Sequence, residues 1–155
     1  MGRVWTVMII TLVGGVLSLP LGVTGETRKA QLSDMVPKEY RTKRMPAGWW
    51  TNPQIIAEGK QLYEGTADES VHTGVVCAVC HGPDGKPLLR GTRNLTQAAY
   101  MADMTESYWY WRVAEGVPRT AMQGWKDALT EAQTWKIIAY EHTFSHGGKA
   151  EPHTH

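Results

Sequence analysis

The chain is predicted to be all-α. Apolar residues recur at helical spacing behind capped starts at Asn52 and Thr130. Glycines follow those stretches at Gly65 and Gly147, and no strand-like alternation of useful length occurs. At 155 residues there is room for one domain.

Residues 1–25 read as an export segment. Arg3 supplies the basic start, Val4 to Leu19 are mostly apolar, and Pro20 breaks the run before the small-residue ending Val23-Thr24-Gly25. The alternative is an uncleaved anchor, since residues 4–23 are about long enough to span a bilayer. Arg28 and Lys29 on the outer side would oppose the positive-inside tendency, so cleavage is the favoured reading. Either way the following domain lies outside the cytoplasm: periplasmic or exported, membrane-tethered only if the segment is retained.

Residues 26–51 read as a basic linker or arm, with six basic and three acidic side chains between 26 and 48. The domain proper runs over 52–146. Asn52-Pro53 opens its first helix with a capping side chain and a proline at the first helical position. Ile55, Ile56, Gly59, Leu62 and Tyr63 then share a face. Glycine inside a helix costs about 1 kcal/mol relative to alanine, so Gly59 predicts the close approach of another helix.

A shorter helix is expected from Thr96 to about Ala102, and another, Thr-capped and rich in aromatics, from Thr105 to Glu115 before Gly116. The last helix starts at a capping box, Thr130-Glu131-Ala132-Gln133, and carries Trp135, Ile137, Ile138, Ala139, Tyr140 and Phe144. Apolar residues on more than one of its sides predict that one side meets the first helix and another meets a bound cofactor, the haem inferred below. Residues 147–155, ending His153-Thr154-His155, are expected to be a disordered tail. Residues 53–146 carry eight basic and eleven acidic side chains, which leaves no footprint for nucleic acid.

Cys77-Ala78-Val79-Cys80-His81 carries the chemistry. Two thiols three positions apart with a histidine behind the second form the attachment signal for a c-type haem. Cys77 and Cys80 would become thioethers to the vinyl groups, and His81 would be the proximal iron ligand. A redox dithiol would open a helix after a βαβ strand, and a zinc site would need two more ligands at regular spacing; neither context is present. The chain has only these two cysteines and a single Phe. With so little apolar bulk in about 95 residues, a buried haem would complete the core, and the apo-chain is expected to fold poorly.

The second iron ligand is assigned to Met122, in the non-helical stretch Gly116 to Trp125. Met101 and Met104 lie on or beside helices, where packing is the natural role. His142 and His146 could form a bis-histidine site, but they sit on the last helix, which is needed for packing.

With these features in view, the chain resembles class I monohaem cytochromes c over roughly residues 52–146. The resemblance rests on Gly59 with Tyr63, Cys77 to Gly85, Asn94-Leu95-Thr96, Gly116-Val117-Pro118 with Thr120-Ala121-Met122, and Trp135 with Ala139-Tyr140. It implies three to five helices around one covalently bound haem c. The N- and C-terminal helices would cross near Gly59 and Tyr63, and His81 and Met122 would ligate the iron. Two positions depart from the pattern: Gln123 follows the methionine where proline is common, and no proline lies between Pro87 and Pro118. Some other carbonyl must therefore orient His81, and that bond would tune the iron.

The function expected is one-electron transfer by a carrier that is not itself an enzyme, between redox protein partners. The alternatives are a dedicated haem subunit of a larger oxidoreductase complex, favoured by the basic arm and Trp49-Trp50, and a ligand-binding or sensor haem protein.

Overall fold

The computed structural model describes residues 25–67 and 74–154. The export segment therefore lies outside the described residues except for Gly25, and so do His72 and His155. Six α-helices occur in chain order: α1 Gly25–Asp34, α2 Pro53–Glu64, α3 Ala78–His81, α4 Ala98–Met101, α5 Glu106–Glu115 and α6 Glu131–Phe144. Among the described residues there is no strand, only an isolated bridge between Gly116 and Gln123. The all-α expectation holds, and five of the helices fall within residues 52–146. No helix among the described residues is long and apolar enough to cross a membrane.

The local start signals act as read. The Asn52 side chain accepts from the Gln54 and Ile55 amides, and Thr130 and Gln133 close a reciprocal capping box. Helix α2 buries one face, through Gly59, Leu62 and Tyr63. Helix α6 is buried on several sides, from Thr134 to Thr143, because it packs against both α2 and α5. It ends at Phe144, and the Gly148 amide returns to the Thr143 carbonyl at 2.9 Å.

The α2/α6 crossing is set by Gly59. A Cβ there would lie 2.0 Å from the Lys136 carbonyl oxygen and 3.2 Å from the Tyr140 Cβ, so only glycine allows the backbones this close. Tyr63, Tyr140 and Phe144 stack edge-to-face beside the crossing, with ring centroids 4.9–5.4 Å apart. A Lys136–Glu58 ion pair flanks it.

The stretch read as an arm packs against α5 and α6. It contains α1, which the absence of periodicity had not suggested; this helix buries none of its residues. Val36, Met45 and Trp50 are buried in the core. Arg28 pairs with Asp103 at 3.1 Å, Arg44 with Glu106 at 3.8 Å and Lys43 with Glu131, while the Tyr40 hydroxyl donates to Glu115. Trp50 donates to Glu106 at 3.2 Å and stacks on His153 of the tail, centroid to centroid 4.4 Å. Thus Trp50 is folded back on the domain, and the tail, which has no helix or strand after Gly148, meets the arm there.

Candidate functional site

Cys77 caps the N-terminus of α3, and Cys80 and His81 lie on its single turn. Both cysteines are half-buried free thiols. Burial pushes the Cys77 thiol well above its ordinary range, with a smaller push from the charge of Glu141.

The turn after His81 locks this segment to α2. Gly82 has φ +76°, and a Cβ on it would meet the Lys86 carbonyl oxygen at 2.1 Å. The chain therefore doubles back, and the Leu88 amide reaches the Cys80 carbonyl at 2.9 Å. The buried Tyr63 hydroxyl donates to the Gly82 carbonyl at 2.7 Å, tying α2 to the residue beside His81.

His81 is oriented by a backbone carbonyl, as the missing proline required. Its Nδ1 lies 3.1 Å from the Arg93 carbonyl oxygen. With Nδ1–H donating there, the lone pair falls on Nε2. Burial lowers the His81 pKa, opposed in part by the Arg93 bond, so the ring is neutral and able to ligate.

Met101 and Met104 are buried in the core, as their helical positions suggested. Met122 is half-buried on a loop whose stem is closed onto the end of α5. The Val117 amide donates to the Met122 carbonyl at 2.9 Å, and the Trp125 amide to that of Ala114, also at 2.9 Å. Thr120 steers the tip, its hydroxyl donating to the Val117 carbonyl at 2.8 Å and accepting from the Met122 amide at 3.2 Å. Arg119, at the tip, has φ +63°, the one non-glycine in the left-handed region among the described residues. His142 is buried among the rings of Trp50, Trp109, His146 and His153. There it packs against the arm, α5 and the tail.

A haem c fits these residues. Two free thiols flank one helical turn, a neutral imidazole has its Nδ1 committed to a carbonyl, and a thioether sits on a separate loop. A cleft of about 360 Å³ between the arm and α5, lined by Tyr40, Trp111, Arg112 and Pro118 among others, contains none of the four predicted site residues.

Two features were not foreseen. One is the buried pair on α5 and α6, where Trp109 Nε1–H donates to the Glu141 carboxylate at 2.8 Å. The only hint in sequence is an acid inside an apolar helical run. The other is an exposed apolar group beside the cysteines: Val79 is 61% exposed and Leu88 66%, with Leu89 next to it.

Residues 54–140 fit the family described as cytochrome C oxidase, cbb3-type, subunit III. No curated protein and no solved structure gives a significant match.

Proposed function

The chain belongs to this family of c-type cytochrome domains, electron carriers rather than enzymes in themselves, and from that premise we propose a monohaem one-electron carrier with His81 and Met122 as axial ligands. Cys77 and Cys80 hold the haem as thioethers, and the domain works outside the cytoplasmic membrane. The observation that carries this reading is the 3.1 Å bond from His81 to the Arg93 carbonyl, beside two free thiols. Such a bond fixes the tautomer and ring plane of an iron ligand.

Bound haem c supplies an iron that cycles between ferric and ferrous. The residues do the rest. His81 presents Nε2 from a neutral, half-buried ring. Met122 offers a weak sulfur donor, which favours the reduced state and raises the potential. Val79, Leu88 and Leu89, with Lys86, Arg90 and Arg93 nearby in sequence, form the face for partner contact. Exposed apolar residues with basic neighbours in sequence suit brief redox encounters.

The test is Met122→Ala in the haem-loaded protein. Loss of the low-spin ferric spectrum and a lower potential are expected; an unchanged spectrum and potential would remove Met122 from the site.

A second reading, a subunit of a larger oxidase complex, is favoured by the family match. The argument from exposed paired tryptophans is weakened, since Trp50 is buried against His153. Gel filtration after native purification separates the two: a free carrier migrates as a monomer, a subunit with its partners. Carbon monoxide leaving the ferrous spectrum unshifted would dispose of a sensor role.

A further inference from the structure

We propose that Glu141 is a proton-uptake site coupled to reduction of the haem that Cys77 and Cys80 would hold. Its carboxylate takes a proton from solvent when the site takes an electron, and releases it on oxidation. This rests on the haem reading above.

The geometry is that of a buried acid with one donor among the described residues. Glu141 is 6% exposed on α6, and its Oε2 accepts from Trp109 Nε1–H at 2.8 Å. None of the ion pairs among the described residues includes it. A carboxylate in such a place carries a large desolvation penalty, which one indole N–H offsets only in part. Burial pushes its pKa up to about 7, and the Trp109 bond pulls the other way. The carboxyl is thus poised to change charge near neutrality.

Its helix lies against the turn that follows His81. A Cβ on Gly85 would meet the Phe144 ring at 2.6 Å, and the Tyr140 hydroxyl donates to the Pro83 carbonyl at 3.4 Å. The charge of Glu141 acts in the same direction on two groups there, raising the pKa of the Cys77 thiol and of the Tyr63 hydroxyl behind burial as the main cause. The groups facing it come from several elements. Tyr63 lies on α2, Cys77 precedes α3, and Trp109 on α5 meets the rings of His142 on α6 and His153 on the tail. Burial pushes Tyr63 and Cys77 upward, away from neutrality, and a thioether at Cys77 has no proton to lose. Besides Glu141, the titratable groups around Trp109 are His142 and His153.

The sign follows from charge. An added electron makes a nearby carboxylate less favourable and raises its proton affinity. One electron arrives from the redox partner and one proton from water, a carboxyl O–H bond forms, and the local charge is unchanged. Oxidation reverses both. The potential therefore falls as pH rises.

The test is potentiometry of the haem-loaded full chain across pH, with wild type, Glu141→Gln, Trp109→Phe and His153→Gln. Wild type should lose potential through neutrality. A tenfold difference in proton affinity between the redox states, about 59 mV for one electron, is the expected size. Glu141→Gln should flatten that window and His153→Gln should leave it. Trp109→Phe, which removes the donor to the carboxylate, should move it to higher pH.

A pH profile in Glu141→Gln equal to wild type would overturn the proposal, and so would a window lost in His153→Gln instead. Redox-difference infrared spectra give a second reading: reduction should convert a carboxylate band to a carboxyl band in wild type and not in Glu141→Gln, and a band that persists in the variant would overturn the proposal. A chain that takes up no haem fails the earlier reading and this one with it, whereas a haem-loaded chain whose profile does not depend on Glu141 fails this one alone.

Discussion

The two sides of the candidate haem site are held by different means. On the His81 side, α2 and α6 meet backbone to backbone at Gly59, Tyr63 reaches the Gly82 carbonyl from a fully buried position, and Arg93 fixes the imidazole. On the Met122 side, a loop is closed at its stem by backbone bonds, while Pro118 to Ala121 are exposed and Arg119 sits in left-handed backbone. The first side is determined by sterics and leaves little room to move. The second stores strain in its tip. Under the proposed ligation, this asymmetry would keep His81 fixed and leave Met122 open to tuning.

The largest effect is expected where the rigid side is forced open. Gly59→Val places atoms inside the Lys136 carbonyl, and because backbone cannot step aside the two helices must separate. A loss of about 3 kcal/mol or more is expected, the upper end for overpacking, measured by denaturant unfolding of the haem-loaded chain. A variant of near wild-type stability would mean that the crossing does not hold this side together.

Next comes the buried acid behind the same side. The folded pKa of Glu141, about 7, lies above its ordinary value of 4.5, so the native state holds the proton more tightly than the unfolded chain. Its penalty is absent below pH 4.5, grows as pH rises and is complete above about 7. Glu141→Gln should therefore be the more stable protein above neutrality, by up to about 3 kcal/mol, and should lose that advantage in acid. Unfolding at several pH values reads the difference; a constant offset would contradict it. Tyr63→Phe should cost less, about 1–2 kcal/mol, by leaving the Gly82 carbonyl buried without its donor.

The two sides were also unequally legible in the sequence. Gly59 could be read because a glycine inside a helix needs a reason, and the caps at Asn52 and Thr130 because their partners lie within three residues. The Cys77–His81 run is contiguous and announces its chemistry. The Arg93 carbonyl could not be named, since every residue carries one and the fold alone chooses which meets His81. Glu141 was visible as a residue, but its partner Trp109 is 32 positions away. The packing of the arm was hidden for the same reason: Tyr40 meets Glu115 and Lys43 meets Glu131 across 75 and 88 positions. Local periodicity carries no signal at such distances.

The smallest effect tests the strained side. A non-glycine side chain in left-handed backbone costs on the order of 1 kcal/mol, and Arg119 sits there with its neighbours held by Thr120. Arg119→Gly removes that cost but gives the unfolded chain more freedom, so the net gain should be at most about 1 kcal/mol. The same change should hold Met122 more firmly in place. Under the axial-ligand reading, the ferric protein would then bind added imidazole more weakly, because the competing thioether leaves less often. A destabilised variant would show instead that the guanidinium makes contacts worth more than the backbone strain. The Met122 side would then be held by its side chains, and the asymmetry between the two sides would narrow.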